Sequence, residues 1–174
     1  MHGSRRIIFR RVPWDNPVGA ELRRAQQAEL AARFGTPDHE PGPPPSDADV
    51  ALFLIAYERC SGQPLGCGGI RHLDEATGEI KRVYVLPYAR GSEVASSILA
   101  VLEDCAAELG YSELRAEAGS VQADGIRLYE SSGYARVPNF GPYAEAATSR
   151  CFAKAISSRT LAASAACAHR IPTG

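Results

Sequence analysis

The sequence predicts a mixed α/β domain in which a central twisted sheet carries helices on both faces, and three observations indicate it. The 174-residue chain has 45% hydrophobic and 22% charged residues, the balance of a soluble globular protein with one full core. Segments with strand patterns and segments with helix patterns alternate along most of the chain. Three successive strands have the spacing of an antiparallel meander, and a strand–helix–strand unit follows them.

The first two predicted elements are a strand and a helix. Residues 7–12 are mostly apolar and indicate the strand. Asn16 offers an N-cap and Pro17 a first-turn proline, and residues 18–34 are rich in helix-forming Ala, Glu, Gln, Leu and Arg. Gly35 is a suitable residue to end this helix.

A proline-rich loop separates this helix from the meander. Residues 36–49 contain four prolines, which fit neither a helix interior nor a central strand, so we expect an extended or mobile loop. The three strands of the meander are predicted at residues 50–57, 65–73 and 79–85. Glycines in the second strand permit a bulge or a close approach of two backbones.

The strand–helix–strand unit begins with an amphipathic helix at residues 92–109. Its apolar residues recur every three or four positions and include Cys105, which we expect in the core. The strand at residues 113–118 should lie parallel to the strand that precedes the helix, through a right-handed crossover.

The C-terminal third of the chain predicts a short helix and two strands. The helix covers residues 122–132, and the strands cover residues 134–137 and 151–156. Their connection, residues 138–150, is long for a hairpin, and long loops in compact domains often carry function. We expect residues 157–174 to be a frayed, flexible tail after a domain of residues 1–156.

Composition disfavours several function classes. The formal net charge of −1 gives no basic surface for nucleic acid, and no apolar run approaches the ~20 residues of a membrane-spanning helix. The N-terminus lacks the apolar region of a signal peptide. The five cysteines have no C-x-x-C spacing, which disfavours a zinc site and favours reduced thiols and a cytoplasmic location. Neither a metal-ligand cluster nor a G-x-x-x-x-G-K-[ST] loop is present.

The most informative segment is residues 85–99, VLPYARGSEVASSIL. A strand ends at Pro87, a short turn with a basic residue and a glycine follows, and a helix begins near Ser92. Such a junction directs backbone N–H groups and the positive end of the helix dipole at one point, which suits a phosphate or pyrophosphate. Arg90 adds a cation beside this point.

Flanking motifs extend this pattern into a resemblance to a known family. The segment is preceded by GEIKRVYV at residues 78–85 and followed by LYESSGY at residues 128–134. Together they resemble the GCN5-related N-acetyltransferase (GNAT) superfamily, whose motifs are V-x-P-x-x-R/Q-G-x-G-x-G/A and L-Y-x-x-x-G-F/Y. The resemblance implies a three-layer α/β/α fold with a mostly antiparallel sheet and one splayed parallel strand pair. It also implies acetyl transfer from acetyl-CoA, without a metal, to a primary amine of a small molecule or peptide.

The resemblance assigns two groups of residues to the cofactor. Val83 and Val85 would offer backbone groups to the pantetheine arm. Gln122 lies near the position where family members often have an asparagine that contacts the same arm, although Gln122 equally suits a helix cap. The residues that match the pyrophosphate loop are Arg90, Gly91, Ser92, Val94, Ala95 and Ser96.

Glu93 departs from the family pattern, which usually has glycine at that position. A carboxylate suits a helix N-terminus, but a nearby pyrophosphate repels it by about 1 kcal/mol per charge in water and by a few kcal/mol at an effective dielectric near 20. Its side chain either turns away, for instance toward Arg90, or weakens CoA binding. The alternative to an enzyme is therefore a non-catalytic acyl-CoA-binding module with a degenerate loop.

The resemblance also marks two catalytic candidates. Tyr129 aligns with the tyrosine whose hydroxyl assists the departing thiolate, although a tyrosine on a helix can equally pack in the core. Glu79 aligns with an acidic position that serves as a general base, and the alternative is a surface glutamate paired with Lys81. His72 is the other candidate base.

The acceptor side is predicted less directly. Asn139, Phe140 and Tyr143 lie in the long connection and suit the wall of an acceptor pocket, although turn formation alone explains the neighbouring glycine and proline. Family analogy places Trp14 and the first helix on the opposite wall. An exposed last strand could mediate a homodimer.

Overall fold

The computed structural model describes residues 6–157 as one seven-stranded sheet with three helices. The strands are β1 (Ile7–Arg11), β2 (Val50–Glu58), β3 (Pro64–His72), β4 (Thr77–Val85), β5 (Glu113–Gly119), β6 (Ala135–Val137) and β7 (Ser149–Ala155). The helices are α1 (Pro17–Phe34), α2 (Val94–Glu108) and α3 (Ala123–Ser131). The strand order is β1-β2-β3-β4-β5-β7-β6, and every neighbouring pair is antiparallel except β4 with β5.

Each predicted element is present, and the mixed fold class is confirmed. The predicted boundaries lie within two residues of the observed ones; α2, for example, begins at Val94 rather than near Ser92. The predicted tail lies outside the described residues, apart from its first residue. Among residues 6–157, none of the helices combines the length and apolar character that crossing a bilayer requires.

Local signals explain the ends of α1. The Asn16 side chain accepts a hydrogen bond from the Gly19 N–H at 3.1 Å, and Pro17 occupies the first turn. Gly35 ends the helix with φ of 75°, a left-handed conformation that costs glycine little. These contacts satisfy backbone groups that a helix end would otherwise leave unpaired.

Two hydrophobic cores lie on opposite faces of the sheet. Alternate β2 residues point to opposite faces, so Leu54 packs with α2 while Phe53 and Ile55 pack with α1. Cys105 is fully buried in the α2 core, as predicted. The sheet is therefore covered by α1 on one face, and by α2 together with residues of α3 on the other.

The parallel pair separates after four residue pairs, which creates the main cleft. Pairing of β4 with β5 runs from Thr77 opposite Glu113 to Ile80 opposite Ala116. Beyond Ile80, β4 pairs on with β3, while β5 continues against β7. The two strands therefore diverge with their backbone edges facing each other across a gap, as the resemblance implies.

A bulge in β4 lies directly at this divergence. The β3–β4 register passes from Gly69 opposite Lys81 to Cys67 opposite Tyr84, so one β3 residue faces two residues of β4. Arg82 has a φ of 59°, the left-handed region that a residue with a side chain seldom adopts. The extra residue of this bulge therefore lies in β4, opposite the glycine-rich β3 strand, and the bulge reorients the side chain of Arg82.

Candidate active site

The cleft between the diverging strands is the candidate active site. The strand residues that line it are Ile80, Lys81, Arg82 and Val83 of β4 and Glu117, Ala118 and Gly119 of β5. Side chains of α1 and α3 complete its walls, together with His39 and Glu40 of the proline-rich loop and Thr148 and Ser149 before and in β7.

Glu79, Lys81 and Tyr143 form a buried hydrogen-bond network beside the cleft. The Tyr143 hydroxyl donates to Glu79 Oε1 at 2.6 Å and accepts from Lys81 Nζ at 2.9 Å. Lys81 Nζ also lies 3.8 Å from Glu79 Oε1. The Glu79 side chain is only 2% exposed, so the alternative of a surface glutamate is wrong, although its pairing with Lys81 is present.

Glu40 brings the proline-rich loop into the same network. Its carboxylate pairs with Lys81 through Oε1 and with Arg82 Nη1 through Oε2, the latter at 2.7 Å. Burial raises the pKa of Glu40, but the charges of Lys81 and Arg82 outweigh it and hold that pKa below its ordinary value. Sequence patterns predicted only an extended or mobile loop here, whereas tertiary contacts hold Glu40 in place.

Glu117 is a third carboxylate of the cleft that the sequence analysis missed. Burial raises its pKa, and a hydrogen bond with Ser149 opposes this increase. On β5 the side chains of Glu113, Arg115 and Glu117 alternate with buried Leu114 and Ala116, which was a signal that they share a face. That pattern did not show that the strand would diverge at Glu117.

Tyr129 lies on α3 and lines the cleft from the opposite wall. Its ring packs 5.5 Å from the rings of Tyr134 and Phe152, so it also belongs to the core. Burial, with the charges of Glu117 and Glu79, raises the pKa of its hydroxyl. None of the described residues forms a side-chain hydrogen bond with this hydroxyl, which stays protonated at neutral pH because of the raised pKa.

The backbone at the N-terminus of α2 leaves room for an anion. Gly91 has a φ of 70°, and a Cβ there would meet no atom within 4 Å. The Ser92 and Ser96 hydroxyls donate to the carbonyls of Ala89 and Glu93, so their N–H groups, rather than their hydroxyls, are the donors for an anion.

Arg90 does not point toward Glu93, which was one of the alternatives. Its guanidinium donates to the Val85 carbonyl at 2.9 Å and to Glu29 Oε2 at 2.6 Å. The hydrogen bond from Arg90 lowers the pKa of Glu29, which lies on α1. Glu93 is itself the N-cap residue of α2, without a side-chain capping bond, and Val94 is fully buried while Ala95 is half-buried.

The residues predicted for the pantetheine arm are placed around the β4 edge. Gln26 of α1 donates to the Val83 carbonyl at 2.8 Å, while its own Oε1 is buried without a partner among the described residues. Gln122 accepts a hydrogen bond from the Gly119 N–H at 2.6 Å and is the N-cap residue of α3. Both glutamines line the cleft. Gln26 carried no recognisable signal in the sequence.

Of the three residues predicted to line the acceptor pocket, Tyr143 belongs to the buried hydrogen-bond network, whereas Asn139 and Phe140 do not. Tyr143 bonds Glu79 and Lys81, as described above. Asn139 donates to the carbonyls of Ala146 and Ser149, and therefore stabilises its own loop. Phe140 packs edge-on against Tyr143 with ring centroids 5.4 Å apart.

Two further sequence candidates lie away from the cleft. His72 Nδ1 lies 2.9 Å from the Tyr111 hydroxyl at the far end of β3 and does not line the cleft. Trp14 packs edge-on against Phe53, with the Arg23 guanidinium 3.7 Å above its ring, so it belongs to the α1 core and not to the cleft wall. The structure therefore separates the two parts of that expectation: Trp14 packs between Phe53 of β2 and Arg23 of α1, whereas the cleft is lined from α1 by Gln26, Leu30 and Phe34.

The lowered pKa of Glu40 predicts a pH-dependent contribution to stability. With a folded pKa below the ordinary 4.5, the contribution is fully present above about pH 5 and is lost as the pH falls through the folded pKa. Glu40→Gln should lower the free energy of unfolding at pH 7 by about 1–3 kcal/mol, the range for charge-assisted hydrogen bonds. Urea unfolding between pH 7 and pH 3 tests this, and a difference from wild type that does not shrink at acid pH contradicts it.

Comparisons with known proteins agree with this geometry. The sequence model of the acetyltransferase (GNAT) family matches residues 20–134. An IAA acetyltransferase of Azospirillum brasilense is 42% identical over 92 residues, which are 52% of this chain and 59% of that protein. The uncharacterized N-acetyltransferase YjgM of Escherichia coli K12 is 28% identical over 133 residues, 71% of this chain and 78% of that protein.

Solved structures share the fold. A crystal structure from Klebsiella pneumoniae, provisionally described as an acyl-CoA N-acyltransferase, has a TM-score of 0.71 and 30% identity over 87% of this chain and 98% of that chain. A GNAT family acetyltransferase from Elizabethkingia anophelis, solved with acetyl-CoA bound, has a TM-score of 0.62 and 15% identity, with 86% and 97% coverage. Because the family model matches more than half of the chain, this protein belongs to the acetyltransferase (GNAT) family.

Proposed function

We propose that this protein is an N-acetyltransferase that transfers an acetyl group from acetyl-CoA to a primary amine. The observation that carries the proposal is the cleft between β4 and β5, which has a buried carboxylate network on one side and the Tyr129 hydroxyl on the other. Amine acylation needs a group that accepts a proton from the ammonium and one that stabilises the departing thiolate. Glu79 and Tyr129 supply these two functions.

The residues around the cleft fit a CoA molecule. An amide of the pantetheine arm would find a buried, unpartnered acceptor in Gln26 Oε1 beside the Val83 carbonyl. The first-turn N–H groups of α2 suit a pyrophosphate, and Gly91 leaves open space in front of them. Acetyl-CoA, when bound, supplies the acetyl thioester.

The proton steps follow from the hydrogen bonds of the network. Glu79 accepts the proton of the ammonium, directly or through water, and Tyr143 holds the Glu79 carboxylate in place by its hydrogen bond. Lys81 Nζ lies 3.8 Å from Glu79 Oε1 and places a positive charge beside the carboxylate. Tyr129 stays a protonated phenol, because its pKa is raised, and can therefore donate to a thiolate.

The second candidate function is a non-catalytic acyl-CoA-binding module. Two observations favour it: Glu93 is at the N-cap of α2, where the pyrophosphate would bind, and Arg90 is already paired with Glu29. A carboxylate at this position weakens the attraction between the helix N-terminus and an anion. Binding and turnover distinguish the two functions.

Isothermal titration with acetyl-CoA tests the role of Glu93. We expect micromolar binding by the wild-type protein and a roughly 5- to 30-fold lower dissociation constant for Glu93→Gly, since about 1–2 kcal/mol of repulsion is removed. Glu75→Gly is the matched control, because Glu75 is exposed in the turn between β3 and β4 and its removal changes the net charge equally. The control should bind as wild type does.

Each outcome of the titration has a clear meaning. Wild-type binding followed by acetylation of amines in a screen supports the enzyme. Binding without turnover of any amine favours the non-catalytic module. If neither the wild-type protein nor Glu93→Gly bound acetyl-CoA, the cofactor assignment itself would be wrong.

A further inference from the structure

Lys81 and Arg82 are consecutive cations that reach the same carboxylate, an arrangement that a regular strand does not permit. Neighbouring side chains of a strand point to opposite faces. Here the left-handed backbone of Arg82, with φ of 59°, reorients its side chain so that both cations bond Glu40. Such a conformation costs a non-glycine residue roughly 1–3 kcal/mol and is typical of functional sites.

The carboxylate that bonds both cations belongs to a loop and not to the sheet. Glu40 lies in a segment without helix or strand, between Gly35 and the start of β2. The strong polar contacts of this segment with the sheet otherwise involve its C-terminal half, where Arg71 bonds Asp49 and the Pro43 carbonyl. Withdrawal of Glu40 would therefore leave the rest of the loop attached.

The cation pair is nearly buried when Glu40 is in place. The side chains of Lys81 and Arg82 are 8% and 9% exposed. Two cations this deep in a cleft require an anion close by, because an unpaired buried charge is costly. When Glu40 leaves, Lys81 keeps Glu79 at 3.8 Å, but Arg82 loses its carboxylate partner, so a group that replaces Glu40 is favoured if it carries a negative charge.

Resting on the proposed acetyltransferase function, we propose that the acceptors of this protein are amines with a nearby carboxylate, such as α-amino acids, and that Glu40 occupies the carboxylate subsite of Lys81 and Arg82 until the acceptor binds.

The spacing of the groups favours a compact acceptor. Lys81 Nζ is bonded to the Glu40 carboxylate and lies 3.8 Å from Glu79 Oε1. A carboxylate in the place of Glu40 is therefore separated from the candidate base by a single ammonium group. A short spacer between amine and carboxylate matches this arrangement, whereas a long spacer would carry the amine past Glu79.

Matched acceptor pairs test this inference. The twenty L-amino acids and their carboxamides differ in the charge of one group and little in size, and kcat/KM is measured for each pair with acetyl-CoA. We expect the amino acids that are acetylated to exceed their carboxamides by about 10-fold or more, because charge-assisted hydrogen bonds to Lys81 and Arg82 are lost with the amide.

Two variants and a control locate the effect. Arg82→Gln should reduce the ratio of carboxylate to carboxamide kcat/KM toward one. Glu40→Gln should increase that ratio about 3- to 10-fold, because a neutral amide competes less strongly for the cations than a carboxylate. Glu113→Gln is the matched control, since Glu113 also pairs with an arginine, at 2.6 Å from Arg115 Nε, but is more than a third exposed outside the cleft. Its ratio should equal that of wild type.

Displacement of the loop has a readout independent of turnover. With CoA present, calorimetry should show that Glu40→Gln binds the best amino acid of the panel about 3- to 10-fold tighter than wild type does, because the competing carboxylate is gone, whereas its carboxamide should bind equally to both. Equal kcat/KM for acids and amides, or faster acetylation of the amides, would overturn the inference while leaving the acetyltransferase function intact. Acetyl-CoA binding without acetylation of any member of either set, or of simple amines, would instead contradict the proposed function.

Discussion

Replacing Glu79 by glutamine is expected to lower kcat by about 100- to 1,000-fold, the contribution typical of a positioned general base. The amide cannot accept a proton from the acceptor ammonium, but its oxygen can still accept the hydrogen bond from Tyr143. The buried network should therefore keep its geometry, and the dissociation constant of acetyl-CoA should stay near that of wild type. Steady-state kinetics with titration calorimetry measure both quantities.

The pH profile separates a general base from a merely structural residue. A base must be ionised, so wild-type kcat should fall at acid pH, and Glu79→Gln should lose this acid limb. Glu113→Gln removes a carboxylate of the adjacent strand, outside the cleft, and should retain both kcat and its pH dependence. A Glu79→Gln enzyme with wild-type kcat would reassign the proton acceptor, with Glu117 as the next carboxylate of the cleft.

Replacing Tyr129 by phenylalanine is expected to lower kcat by about 10- to 100-fold, with little change in acetyl-CoA binding. Burial and the charges of Glu117 and Glu79 raise the pKa of the phenol, so the hydroxyl stays protonated at neutral pH and can stabilise the thiolate by donating a hydrogen bond. Phenylalanine keeps the ring contacts with Tyr134 and Phe152 and removes only the hydroxyl. The loss should therefore appear in the step in which the thiolate departs.

Tyr134→Phe is the matched control for this prediction. The Tyr134 ring lies 5.5 Å from Tyr129, but Tyr134 does not line the cleft. Removal of the Tyr134 hydroxyl should leave kcat unchanged, because this hydroxyl lies outside the cleft. If Tyr129→Phe also left kcat unchanged, Tyr129 would have only a packing function.

The fold was largely predictable because its signals are local. Asn16, Pro17 and Gly35 mark the ends of α1 through interactions within one or two turns. The periodic apolar residues of α2 and the spacing of β2, β3 and β4 likewise depend on neighbours in sequence. The mixed sheet and the parallel pair follow from the order of these elements and the handedness of crossovers.

The candidate site was predicted only in part. The strand–turn–helix pattern marked the start of α2, and the resemblance to the family marked Glu79 and Tyr129. Glu40 and Gln26 were missed, because each makes its important contact with β4, 41 and 57 residues away along the chain. No periodicity or spacing in a loop or on a helix surface specifies a partner at that distance.

The sequence by itself determined the elements, their order, the family and the two catalytic candidates, since these depend on short-range pattern. Only the tertiary structure decided how the charged groups of the site are buried and paired. Glu79 is buried and bonded by Tyr143, Arg90 pairs with Glu29, and Lys81 and Arg82 share Glu40. The reason is physical. Burial and ion pairing arise where strands diverge and loops return, and the free energy of each charge depends on groups that come together only in the folded chain.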